Sequence, residues 1–179
     1  MPNATLARLA AEFLRQGQRL VSRIDDVAYC APLPQLSRSS VGAHLRHMME
    51  HFTSLLDGAP NGLVDYDLRE RSSLLENDRA AAIAALHSIE RALAQDFMHR
   101  DCELLVLVDS GERGMRTRSR SSLQRELQFC IAHTVHHYAI IALLLRARGI
   151  EVEAGFGVAP STQKHETSQR EETIAQCAR

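Results

Sequence analysis

Tryptophan is absent from this 179-residue chain, and aromatic residues of all kinds make up only 4% of it. Its core must therefore be aliphatic, and the abundance of Leu and Ala favours helix. Lysine is almost missing as well. Lys164 is the only one, so the positive charge is nearly all arginine. The net charge is −1, which argues against broad electrostatic binding to nucleic acid or to an anionic membrane. Cysteine is sparse: Cys30, Cys102, Cys130 and Cys177 form no Cys-x-x-Cys pair. No signal peptide is expected, because Arg8, Glu12, Arg15 and Arg19 interrupt the first segment. No apolar stretch reads as long enough to span a bilayer. Together these absences suggest a reduced, cytoplasmic protein with free thiols.

What is present is helical periodicity. Leu6, Leu9, Phe13, Leu20, Ile24 and Val27 recur at helical spacing through 4–28, and Gly17 breaks the stripe where another helix can approach closely. Pro32 and Pro34 interrupt the chain. Ser39 or Ser40 can cap a second helix over about 40–57, with Val41, Leu45, Met48, Phe52 and Leu55 on one face. Residues 63–75 read as an ordered connection. A third helix spans about 77–99, with Asn77 as its cap and Ile83, Leu86, Glu90, Leu93 and Phe97 along one face. Leu104–Val108 has β character, 109–114 is turn-like, and 115–120 alternates, which predicts an inserted β-hairpin. Arg116, Arg118 and Arg120 line one face of its second strand, read as a solvated edge rather than a nucleic-acid contact. Ser122 can cap the longest helix, about 123–148, stopped by Gly149. The expected fold is mainly α: a four-helix bundle with a small β-hairpin before the last helix. Residues 1–162 form that domain, and 163–179 read as a polar, mobile tail.

Six of the nine histidines fall in two short stretches, His44-Leu-Arg-His47-Met-Met-Glu-His51 and His133-Thr-Val-His136-His137. Neutral imidazole is the commonest protein ligand for transition metals. His133 and His137 are one turn apart and share a face. With about 100° per residue, His137 lies about 40° from His133 on the side of the apolar stripe, and His136 falls on the other side, nearer solvent. Two buried imidazoles on one face need partners for both nitrogens, and a metal ion is an economical shared partner. On the second helix, periodicity ranks His51 or His44 above His47 as the inward group.

The spacing is not His-Glu-x-x-His, since Thr134 stands where a zincin carries its general base. Glu50, Glu126 and His136 are candidates to orient a ligand, although a solvated surface role is the simpler reading of each carboxylate. Tyr66, Arg69, Arg71 and the Phe156 loop are further candidates to reach a substrate, with packing and salt bridges as the simpler reading.

At Ser40-Val-Gly-Ala-His-Leu-Arg-His47, Ser122-Leu-Gln-Arg-Glu126-Leu, His133-Thr-Val-His-His137 and Arg146-Ala-Arg-Gly149 the chain resembles the DinB/YfiT-like superfamily. The resemblance runs through most of residues 4–150. It implies a four-helix bundle, commonly dimeric, with one histidine on the second helix and two on the last as metal ligands. Carried over by position, these are His47, His133 and His137, with His51 as the substitute for His47. The resemblance also implies a divalent ion, zinc or nickel, that activates a small-molecule thiol for transfer to an electrophile. The contrasting expectation is a non-catalytic metal-binding or stress-linked interaction bundle, with the coordination positions closed or no metal.

Overall fold

The computed structural model describes residues 2–111 and 115–177. Seven helices and three strands occur among them, and 64% of the chain is helical. Four helices are long: α1 (Pro2–Arg23), α3 (Val41–Gly58), α5 (Arg79–Leu93) and α6 (Leu123–Arg146). Three others are α2 (Asp26–Cys30), α4 (Ser73–Asn77) and α7 (Pro160–Cys177). α1 packs on α5 and α6, and α3 packs on the same two helices. The aliphatic stripes meet in one core that includes Leu14, Val21, Leu45, Met48, Phe52, Leu86, Leu127 and Ile141.

Local chemistry sets the helix starts. Ser40 Oγ accepts from the Ala43 N–H at 3.0 Å, and Ser122 Oγ accepts from the Arg125 N–H at 3.3 Å. Each hydroxyl satisfies one orphan donor of a first helical turn. Asp78, and not Asn77, caps α5, accepting from the Ala81 N–H at 3.0 Å. Asn77 instead closes α4, a short helix that the sequence reading merged into the longer one. The stretch around Phe97 leaves α-geometry for a 3₁₀ turn over Asp96–His99.

The expected hairpin is present as β2 (Glu103–Asp109) paired antiparallel with β3 (Arg116–Ser122). Residues 112–114 of its turn lie outside the described residues. A third strand, β1 (Leu63–Asp65), adds in parallel, with Val64 opposite Val106. At three residues it is too short to announce itself by periodicity. Val64, Leu104 and Val106 bury the inner face of the sheet, while Arg116, Arg118 and Arg120 are exposed on the outer strand. Arg116 pairs with Asp65 at 2.5 Å. β1 matters to the site because it delivers the next residue, Tyr66, into the interior beside α3 and α6. Asp65 Oδ1 accepts from the N–H groups of Asp67 and Leu68, turning the chain there.

Two expectations need correction. Residues 160–177 are helical, where 163–179 read as a polar, mobile tail, and the side chains from Lys164 to Gln169 are exposed. The sequence of α7 has no apolar stripe, which is why periodicity missed it. α6, by length and composition alone, is apolar enough to cross a membrane. Half of its most apolar window is buried inside the protein, and packing against α1 and α3 accounts for that apolarity.

Close approach at two glycines ties the helices together. A Cβ on Gly17 would stand 2.4 Å from the Tyr138 hydroxyl, which donates to the Phe13 carbonyl at 2.8 Å. A Cβ on Gly42 would stand 2.1 Å from the backbone oxygen of Glu76 and 2.7 Å from the Tyr29 ring. Backbone cannot rotate away as a side chain can. Gly42→Ala should therefore lower stability by about 1–3 kcal/mol in urea denaturation, the range for overpacking. A gain of about 1 kcal/mol, as for glycine to alanine at an open helical position, would contradict this packing.

Candidate metal centre

α3 and α6 pack side by side, and their capped starts set which residues face each other. His44, His47 and His51 project from α3, and His133, His136 and His137 from α6. The ligand nitrogens of His47, His133 and His137 lie within 4.8 Å of one another. Their ring centroids are 5.0 Å apart for His47–His133, 4.8 Å for His47–His137 and 4.4 Å for His133–His137. Among the described residues, no other group of three metal-ligating side chains converges this way.

Burial and convergence select different residues on α3. His51 is only 5% exposed, more buried than its two neighbours, in keeping with the periodicity that placed it inward. Its Nδ1–H donates to the His47 carbonyl at 2.8 Å. A carbonyl only accepts, so this bond fixes the tautomer and leaves a lone pair on His51 Nε2. The His51 ring lies 4.1 Å from that of His133 and stacks on Tyr66 at 5.3 Å. His44 lies on the other flank, its Nδ1 3.1 Å from His137 Nδ1. His136 is exposed, its ring 5.1 Å from that of His137.

The electrostatics favour neutral rings. Burial, with the adjacent His51 ring and the Arg69 and Arg46 guanidiniums, pulls His47 down to about 4. Burial, with His51 and His47 beside it, pulls His133 down to about 3. Burial, with His133 and His47 beside it, does the same for His137, also to about 3. Neutral imidazole is the form that binds a metal. His133 Nε2 is buried and has no hydrogen-bond partner. An orphaned buried nitrogen costs free energy, and a cation relieves that cost. Three neutral imidazoles with one such nitrogen suit a borderline-soft divalent ion.

The other candidates serve structure. Glu126 is buried, but its oxygens accept from the Tyr66 hydroxyl at 2.7 Å and from the Ser121 hydroxyl, so it holds the β1 connection and β3 and not a histidine. Glu50 accepts from the Ser72 N–H at 2.9 Å and faces Arg46 and Arg69 at 3.7 and 3.8 Å. Thr134 donates to the Cys130 carbonyl at 2.7 Å. Phe156 stacks on Tyr138 at 4.5 Å, within the core, which removes it as a substrate contact. Arg71 is exposed, with a left-handed φ of 54°. Arg69 is mostly buried and donates to the Tyr66 carbonyl. Sequence reasoning named Tyr66 but missed Phe129, whose ring lies 5.1 Å from that of Tyr66 to form an aromatic wall. Phe129 sits one turn before His133 and stacks on it at 5.6 Å. That i, i+4 spacing was the available signal.

Comparison with known proteins separates site from family. No family model and no solved structure matches the chain. A curated protein from Rhizopus delemar named FK506-binding protein 5 is 32% identical over 106 residues, 58% of this chain. The matched part spans 27% of that protein's length. These findings correct the DinB/YfiT-like assignment: a relative of another name matches, and no family model supports the resemblance. The thiol-transferase chemistry that the resemblance implied goes with it. The relative's name describes what that protein binds. The histidine geometry stands on its own.

The lowered imidazoles give a stability signature in metal-free protein. Unfolded histidines take up protons below about pH 6.5, whereas His47 waits until about 4 and His133 and His137 until about 3. The unfolded state therefore binds more protons in between, so stability is full above pH 6.5 and falls as pH drops toward 4. Urea titrations between pH 7 and 5, above most carboxylate titration, should show this loss, and His133→Gln should make it shallower. An unchanged midpoint over that range would contradict the buried neutral cluster.

Proposed function

We propose that this chain binds a divalent transition-metal ion, zinc or nickel, through His47, His133 and His137. The observation that carries this reading is the convergence of three neutral imidazoles within 4.8 Å, one with a buried nitrogen that has no partner. We read α1, α3, α5 and α6 as a four-helix bundle, with α3 and α6 presenting the ligands. Facing helices of such bundles are a common place to build metal sites.

Three protein nitrogens leave coordination positions open, which separates a reactive ion from a structural one. When bound, the ion would supply Lewis acidity to whatever fills those positions. The protein's own residues do the rest. Tyr66 and Phe129 wall one side and exclude water from it. His51, its tautomer fixed, stands beside His133 with a free lone pair.

That lone pair also supports a second reading. His51 as a fourth nitrogen would close the site and make the ion structural, giving a non-catalytic metal-binding bundle.

Protein purified without an affinity tag should carry about one equivalent of divalent metal by elemental analysis, as one three-imidazole site requires. His137→Ala should lose it while keeping its helical circular dichroism. Wild-type protein that takes up no metal after reconstitution would sink the proposal. Uptake unaffected by His137→Ala would show that the ligands lie elsewhere.

A further inference from the structure

His44 is more than a neighbour of the candidate ligands. Its Nδ1 is 3.1 Å from His137 Nδ1, across the interface between α3 and α6. Two neutral imidazoles in that contact must divide the roles, one nitrogen carrying the proton and the other accepting it. With His137 Nδ1 engaged, the nitrogen left for a metal is Nε2. That nitrogen has a lone pair only if the proton resides on Nδ1. His137 must then be the donor and His44 Nδ1 the acceptor.

We infer that His44 is a positioning residue: it accepts a hydrogen bond from His137 Nδ1–H and so fixes the tautomer and ring orientation in which His137 Nε2 can ligate. The inference rests on the metal-binding reading above. A ligating histidine commonly gives its second N–H to a carboxylate, a carbonyl or water, and loss of that partner costs roughly 10–100-fold in metal affinity. Here the acceptor is a fourth kind of group, a neutral imidazole. The assignment leaves the proton of His44 on Nε2. That nitrogen is buried and has no partner in the structure, so this tautomer leaves one donor unsatisfied. Such an arrangement has a cost, and the contact to His137 is the feature that offsets it.

The test compares zinc affinity, by competition with a chromophoric chelator, in wild type, His44→Ala, His44→Asn and His44→Asp. The Asn side-chain oxygen sits as many bonds from Cα as imidazole Nδ1, so it can replace the acceptor. His44→Ala should weaken binding by roughly 10–100-fold with stoichiometry unchanged. His44→Asn should recover most of that loss, and His44→Asp should bind at least as tightly as wild type. The visible bands of the cobalt-substituted protein should shift in His44→Ala and return in His44→Asn, which a purely structural role would not produce. Equal affinity in wild type and His44→Ala would overturn this inference and leave the metal site standing. Loss of stoichiometry in both His44→Ala and His44→Asn, with circular dichroism unchanged, would make His44 a ligand and also overturn it. Wild-type protein that binds no zinc would overturn both readings.

Discussion

Five imidazoles packed between two helices impose the constraint on which this structure turns. His44, His47, His51, His133 and His137 are too close to one another and too removed from water to carry charge together. Each must stay neutral, and a neutral imidazole presents one donor and one acceptor. Two of the needs are met locally: His51 gives its proton to the backbone of its own helix, and His44 and His137 share one between them. What remains is His44 Nε2 and His133 Nε2, both buried and without a hydrogen-bond partner. No hydrogen bond reaches His133 Nε2. A cation can.

The surrounding fold holds that arrangement in place. Serine caps fix where α3 and α6 begin, and the aliphatic core fixes how they face each other. The short strand β1 brings Tyr66 inward, and the buried Glu126 carboxylate anchors its hydroxyl. Glu50, Arg46 and Arg69 brace the adjoining loop and place positive charge near His47, which helps keep that ring neutral. Carboxylates near the histidines thus support the scaffold rather than contact the ligands.

The sequence made much of this legible, and its limits were physical. Helix positions followed from apolar periodicity because long aliphatic stripes are hard to mimic. The sequence of α7 carries no apolar stripe, and β1 is too short to alternate, so both were missed. On α3, periodicity ranked His51 or His44 above His47, and of these only His51 is buried, but convergence on a shared point depends on helix rotation and on the partner helix. A residue outside the stripe can meet its counterparts better than one at its edge. The pairing of His44 with His137 joins positions 93 residues apart, which no local pattern records. The family resemblance drew on these same histidines, and the corrected comparison shows that a shared ligand pattern does not establish kinship.

The most direct measurement of a three-histidine site with open positions is X-ray absorption at the zinc edge of the metal-loaded protein. The expected outcome is three imidazole nitrogens at about 2.0–2.1 Å, with multiple scattering from their rings, and at least one further light ligand not from imidazole. Four imidazoles would mean a closed, structural ion, and sulfur in the shell would place the metal at a cysteine instead. Either result would contradict the open three-histidine centre.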